Sequence, residues 1–319
     1  MRLAVLDLGL GSFQLALFET GAGPGSPLLR RRSWSETVRL GAGMTGQRLG
    51  GAAFARGLEA VHRLLWDLAG FDRTCPVVVI ATSALRAADN GPALCDEIRR
   101  THGLAVELLS GEGEARLSYL GAELHLLVPG RLAVADLGGV SLELATGTDG
   151  ECDLVYSLPL GTLSLRDVHV PPERALDRVA RERVAATVRF GAADAARAIW
   201  DRRPDRLAFT SGTADALGAL ADELGLRRPG DDDISIAALT RLVDVLTQFR
   251  PIELPALGIE EARSDTVAVG AVVLHTLMEL LGFDSAAISP SGRREGVAVR
   301  HLGRAGQLAS DARVHTAVT

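Results

Sequence analysis

The segment Asp7-Leu8-Gly9-Leu10-Gly11-Ser12 sets a carboxylate at the end of an apolar run and follows it with two glycines and a hydroxyl. Glycine lets the backbone approach an anion and offers it N–H groups, while an aspartate at the strand end can hold a metal ion or a water. A similar pattern recurs in Asp136-Leu137-Gly138-Gly139-Val140-Ser141-Leu142-Glu143, and Thr210-Ser211-Gly212-Thr213 stands directly before a helical pattern whose N-terminal N–H groups would face an anion. One such loop is explained as well by a hairpin turn, which needs glycine anyway. The three together point to phosphate binding, with Gly9, Gly11, Ser12, Gly138, Gly139, Ser141, Ser211, Gly212 and Thr213 as the contacts.

Loops of this kind need strands and helices to hold them. Leu3 to Leu8, Phe13 to Phe18 and Leu28 to Leu40 read as a three-strand meander joined by turn-rich segments. Phe54, Leu58, Val61, Leu65 and Leu68 recur at helical spacing, and Pro76 to Ala81 is a short apolar run suited to a strand buried on both faces. Helix then strand follows twice more, at Asn90 to Thr101 with Ala105 to Leu109 and at Gly113 to Leu124 with Leu132 to Asp136. Leu132-Ala133-Val134-Ala135-Asp136-Leu137-Gly138 echoes Leu3-Ala4-Val5-Leu6-Asp7-Leu8-Gly9, which implies an internal duplication. A second α/β unit follows, with Ser141 to Ala145 and Leu207 to Thr210 as strands. Its helices fall at Ala214 to Leu224, Pro172 to Asp201, Ile234 to Phe249 and Ser264 to Leu281, closed by a strand at Ser285 to Ser289 and a short helix. Past Gly303 the polar chain is expected to fray. The domain boundary falls between residues 125 and 126, giving an N-terminal unit 1–125 and a C-terminal unit 126–319.

Composition narrows the partners. The chain has 319 residues, 47% of them hydrophobic and 23% charged, the balance of a folded globular protein. A net charge of -6 argues against a nucleic-acid or anionic-membrane surface. All 34 basic residues are arginine, so phosphate contacts must come from arginine, backbone N–H groups or a metal, and lysine chemistry is excluded. The apolar stretch from Ala268 to Phe283 is interrupted by His275 and Glu279 and reads as a buried helix rather than a membrane span. The first residues run straight into a strand pattern, not a secretory signal, so the cytoplasm is the expected location. Cys75, Cys95 and Cys152 form no metal or redox spacing and read as small core residues; His102, His125, His169, His275 and His301 show no ligand spacing either.

Further motifs fall in a telling order: Ala81-Thr82-Ser83-Ala84-Leu85-Arg86, Leu109-Ser110-Gly111-Glu112-Gly113-Glu114-Ala115-Arg116, Ser157-Leu158-Pro159-Leu160-Gly161 and Arg294-Glu295-Gly296. With the two D-x-G loops they resemble the Ppx/GppA family of exopolyphosphatases and guanosine pentaphosphate phosphohydrolases, from Arg2 to about Leu302. The chain looks most like short actinobacterial members without the extra C-terminal HD-type domain. The resemblance implies an α/β protein of two actin-like, ribonuclease H-like domains with a cleft between them, hydrolysing terminal phosphate from polyphosphate or pppGpp with Mg²⁺ or Mn²⁺. It implies Glu114 as the base that activates water, Asp136 as a catalytic acid, Asp7, Asp136 and Glu143 as metal ligands, and Arg86 beside the phosphates. Dimers occur in that family, and the resemblance allows a homodimer here by analogy alone.

The departures from the family pattern bear on the same site. Leu10 and Gly11 stand where the family has serine and asparagine, Val140 replaces a glycine, and Gly113 removes an acid before Glu114. A β-branched residue at Val140 is expected to resist a positive φ and to crowd the backbone. Two functions follow: a phosphohydrolase acting on a small phosphorylated molecule or short polyphosphate, or a degenerate relative that binds such a ligand without efficient turnover. Elsewhere, Arg30-Arg31-Arg32 reads as a polyphosphate track or a guarded sheet edge. Asp231-Asp232-Asp233 reads as a charged helix N-cap. Arg294 and Glu295 either line the site or anchor the last helix.

Overall fold

The computed structural model describes residues 1–21, 26–41, 47–171, 174–228, 230–302 and 315–316. The chain divides into two compact units, Met1–Leu127 with Arg293–Thr319 and Val128–Gly292.

In the first unit, β1 (Arg2–Leu8), β2 (Ser12–Thr20) and β3 (Leu28–Thr37) form an antiparallel meander. After α1 (Gly51–Phe71), β4 (Val77–Ala81) pairs parallel to β1; α2 (Ser83–Ala87) and α3 (Gly91–His102) lead to β5 (Val106–Leu108), parallel to β4. Strand β1 is apolar almost throughout because both its faces are covered. Ala4, Leu6 and Leu8 join a core with α1 and α3 residues such as Val61, Leu64, Leu94 and Ile98. Leu3 and Val5 face the other way, onto Leu117, Leu120 and Leu124 of α4 (Gly111–Leu126).

The second unit repeats the plan. Strands β6 (Leu132–Leu137), β7 (Leu142–Thr148) and β8 (Glu151–Leu158) form its meander. Helices α5 (Thr162–His169) and α6 (Arg178–Trp200) precede β9 (Arg206–Thr210), which lies parallel to β6. Then come α7 (Gly212–Glu223), β10 (Asp233–Ser235), α8 (Ile236–Leu246), two 3₁₀ turns at Pro251–Leu257 and Glu261–Arg263, α9 (Val267–Leu281) and β11 (Ser285–Ser289), parallel to β9. Each sheet therefore runs meander strands three, two, one, then two parallel strands, β3-β2-β1-β4-β5 and β8-β7-β6-β9-β11. This is the actin-like, ribonuclease H-like arrangement. Among the described residues no helix is long and apolar enough to cross a membrane.

The last helix, α10 (Arg293–Leu302), departs from the expected division at residue 126: it belongs to the first unit. Val297, Ala298 and Val299 join the core of Leu3, Val5 and α4, and a side chain at Gly296 would collide with the Leu117 carbonyl, so α10 crosses α4 at close range. Of the residues past Gly303, only the backbone of β12 (His315–Thr316), parallel to β3, is described; the expected fraying lies otherwise outside the described residues.

Candidate active site

Strand residues alternate between faces, so Asp7 lies on the same face of β1 as Leu3 and Val5, the face covered by α4 and α10. It sits one residue from the strand's end and is 7% exposed. Helix α4 begins at a cap in which Ser110 Oγ accepts a hydrogen bond from the Gly113 N–H at 3.1 Å. That cap puts Glu114 in the first helical turn, where a carboxylate suits the N-terminal dipole. Glu114 is 1% exposed, and arginines take both its oxygens: Arg86 Nη1 donates to Oε1 at 2.5 Å and Arg293 Nη1 to Oε2 at 3.4 Å. Arg86 is itself anchored on the Leu109 carbonyl. Arg293 also reaches Asp7 Oδ2 through Nε at 3.2 Å and Nη2 at 3.1 Å. A buried carboxylate without a cation carries a large desolvation cost, and here two guanidinium groups offset it.

The second unit lines up a row across four strands. Asp136 on β6 is in register with Glu143 on β7 and Thr210 on β9, and Glu143 with Ser157 on β8. All four sit on the face away from the core formed by Ala135, Leu137, Leu142, Leu144 and Phe209. Asp136 and Glu143 are buried, and Ser157 Oγ donates to Glu143 Oε1 at 2.8 Å. Carboxylates directly opposite each other repel unless a proton or cation stands with them. The matching row of the first unit runs Ile80, Asp7, Gln14, Ser35, so the duplication holds Asp7 at the place of Asp136 and puts Gln14 where Glu143 stands.

At Gly9 and Gly138 the small residue answers to space, whereas a Cβ at Gly11 would meet nothing within 4 Å. None of Gly9, Gly11, Gly138, Gly139 and Val140 has a positive φ. The positive φ that Val140 was expected to resist is therefore not asked of it. A side chain at Gly9 would press on the Ser12 carbonyl, and at Gly138 on that of Ser141. Leu10 packs on the first core rather than facing a ligand, and the Leu10 and Gly11 carbonyls are held by the N–H groups of Leu40, Val38 and Arg39. The second loop is buttressed from Gly161, whose N–H donates to the Val140 carbonyl at 3.1 Å, while Thr162, Leu163 and Ser164 donate to the carbonyls of Gly138 and Gly139. Any Cβ at Gly161 would lie 2.2 Å from the Val140 carbonyl carbon. The Pro159-Leu160-Gly161 motif is thus the prop of the second loop.

Two buried oxygens are left without a hydrogen-bond partner in this machinery, Asp7 Oδ1 and Ser141 Oγ. A hard cation suits the first and a phosphate oxygen the second. Among the described residues no three His, Cys, Asp or Glu side chains gather as a metal cage. Magnesium does not require one, since it keeps several waters and takes one or two carboxylates plus substrate phosphate oxygens. Within the first unit the Asp7 oxygen suits such an ion as a donor, and within the second the opposed carboxylates Asp136 and Glu143 do.

In the third loop Ser211 caps α7, its Oγ accepting from the Ala214 N–H at 3.2 Å. Gly212 is the closest-approach point: a Cβ there would meet the Arg263 guanidinium at 2.1 Å, so an arginine lies over the helix start. Thr213 is packed against Gly270 of α9. Sequence reasoning missed Arg293 and Arg263. Arg293 neighbours the Arg294-Glu295 pair, yet the chemistry falls one residue earlier, while Glu295 is buried on Arg30 at 3.0 Å and anchors α10.

The family profile of the Ppx/GppA phosphatase family matches residues 26–305. The chain belongs to the Ppx/GppA phosphatase family. A protein of Streptomyces coelicolor is 32% identical over 95% of this chain and 90% of its own length. The protein called exopolyphosphatase 1 in Mycobacterium tuberculosis is 28% identical over 100% of this chain and 94% of its own. Among solved structures, an exopolyphosphatase from Cytophaga hutchinsonii superposes with TM-score 0.85 at 23% identity, covering 95% of this chain and 98% of that one. The Ppx/GppA protein of Aquifex aeolicus gives 0.79 with the same identity and coverage. Both show the shared fold. As a Ppx/GppA protein the chain is a hydrolase of phosphoric anhydrides.

Proposed function

We infer that this Ppx/GppA member releases terminal phosphate from polyphosphate, pppGpp or a related phosphorylated molecule, with Glu114 orienting and deprotonating the attacking water. The observation that carries the reading is the buried Glu114 carboxylate held by Arg86 and Arg293 beside the unpartnered Asp7 Oδ1. A loose phosphoryl transition state spreads charge over its oxygens, so catalysis asks for positioning, arginine and N–H donors, and a carboxylate for the water. Asp7 in the first unit, and Asp136 with Glu143 in the second, are the carboxylates that would take Mg²⁺ or Mn²⁺, which when bound supplies charge neutralisation at phosphate oxygens. Arg86 holds Glu114 in place and contributes positive charge beside it. The Gly138 N–H closes the loop on the Ser141 carbonyl at 2.9 Å, which leaves the Ser141 hydroxyl as the group the loop would offer a phosphate. That the relatives include proteins named exopolyphosphatase supports polyphosphate as the substrate.

The reading is tested by phosphate release across short and long polyphosphate, pppGpp, nucleoside phosphates and small phosphomonoesters. Activity should vanish with EDTA and return with Mg²⁺ or Mn²⁺; activity that survives exhaustive chelation removes the metal from the reading. A flat response across all substrates would instead mark a phosphate-binding protein without turnover.

A further inference from the structure

Asp7, Arg293, Glu114 and Arg86 form a chain of four side chains of alternating charge, all within the first unit. Two carboxylates and two guanidinium groups sum to zero. The one Asp7 oxygen without a hydrogen-bond partner, Oδ1, belongs to a carboxylate whose other oxygen already takes two N–H groups from Arg293. A bare divalent cation arriving at Oδ1 meets little net negative charge and is repelled by the Arg293 guanidinium held on Oδ2. A phosphate group bound beside it supplies the missing negative charge and attracts Arg293 and the cation alike.

We propose that Arg293 is a positioning residue that makes loading of a divalent cation at Asp7 conditional on phosphate, so that cation and phosphate enter as a pair. The guanidinium stands in for the cation on Asp7 and Glu114 until a phosphate draws it away. It is placed to do so because it is the first residue of α10, a helix fixed against α4 by the close approach of Gly296 to Leu117 and by the Glu295–Arg30 pair. This inference rests on the phosphohydrolase reading.

Titration with Mn²⁺, following free Mn²⁺ by electron paramagnetic resonance, tests it with and without inorganic phosphate in the wild type, R293Q and R293K. Wild-type affinity for Mn²⁺ should rise about tenfold or more on adding phosphate, within the usual range of coupling between sites. R293Q, which removes the charge, should bind Mn²⁺ about tenfold more tightly than wild type without phosphate and lose most of the coupling, while R293K should follow wild type. Equal Mn²⁺ affinity of R293Q and wild type in the absence of phosphate overturns the proposal. So does a wild-type affinity indifferent to phosphate, a comparison that stands even if R293Q does not fold. Phosphate release from short polyphosphate by the same wild-type preparation separates the two levels. Hydrolysis without coupling sinks only the role of Arg293, and no hydrolysis of any phosphoanhydride sinks the reading beneath it.

Discussion

Glu114 stands where burial, helix position and charge converge. Its first-turn place on α4 comes from the Ser110 cap, its burial from the packing of α4 on β1, and its orientation from an arginine on each oxygen. Glutamine has the same shape and keeps an acceptor for Arg86, so E114Q isolates basicity. Turnover should fall on the order of 10²–10⁴-fold with the thermal transition nearly unchanged, read by phosphate release and a melting curve. Wild-type-like turnover would remove Glu114 from the reaction. Alanine is the less informative choice, because it also removes the anion shared by two half-buried guanidinium groups and so changes folding stability besides the chemistry.

At the level of elements, the strands that end in Asp7 and Asp136 were legible because strands covered on both faces read as apolar runs, and the single acid in each stands out. The first meander followed from them, and so did the first two strands of the second. Helix α2 was missed because its five residues are too few to show a period, and β8 because Glu151, Asp153 and Ser157 interrupt its apolar positions. The acidic run 231–233 is not a cap: Ser235 Oγ accepts the Ala238 N–H at 3.1 Å, and Asp233 lies in β10 paired with Arg206 at 2.5 Å. The long helix expected from Pro172 starts only at Arg178, capped by Asp177. Most telling is α10, whose membership of the first unit depends on a close helix crossing that no local pattern encodes. Gly296 is the test: G296A would set a Cβ 2.0 Å from the Leu117 carbonyl oxygen, which is backbone and cannot swing aside. Overpacking of this kind costs about 1–3 kcal/mol, so the melting temperature should fall and activity with it, because α10 carries Arg293. A variant as stable as wild type would show that α10 is free to shift. A second test lies between α8 and α9, where His275 accepts or donates a hydrogen bond with Thr240 at 3.0 Å and burial holds its imidazole below the ordinary range. The folded protein then keeps His275 neutral while the unfolded chain takes up a proton below about pH 6.5, so stability is lost as the pH falls through that value. Melting curves at neutral and mildly acidic pH should show a smaller drop for H275Q than for wild type; an equal drop would place the acid sensitivity elsewhere.

Across the whole molecule, charge decides what can reach the site. With a net charge of -6 and no lysine, a polyanion can be drawn in only by arginines near the phosphate loops, since charges beyond roughly 8–10 Å are screened at physiological ionic strength. The dense basic segment of the sequence does not serve: Arg30 is committed to Glu295, Arg31 to Glu19 at 3.0 Å, and Arg32 lies over the Phe71 ring at 4.7 Å. The arginines of the first-unit site are likewise committed, Arg86 to Glu114 and Arg293 to Asp7 and Glu114, and Leu10 offers the core a side chain instead of offering a phosphate a hydroxyl. In the second unit the Ser141 hydroxyl has no hydrogen-bond partner and suits one phosphate oxygen, while in the first the site arginines are committed to carboxylates. On the proposed reading each further phosphate of a long chain adds repulsion from a protein of net negative charge. The expected outcome is a kcat/KM, counted per chain end, that is higher for chains of a few phosphates than for chains of several hundred, and that gap should narrow as salt is added, because salt weakens the repulsion that long chains feel most. Phosphate release at two chain lengths and two salt concentrations measures it. A clear advantage for the long chain at low salt would mean that a basic track runs from the site along arginines other than Arg30, Arg31 and Arg32.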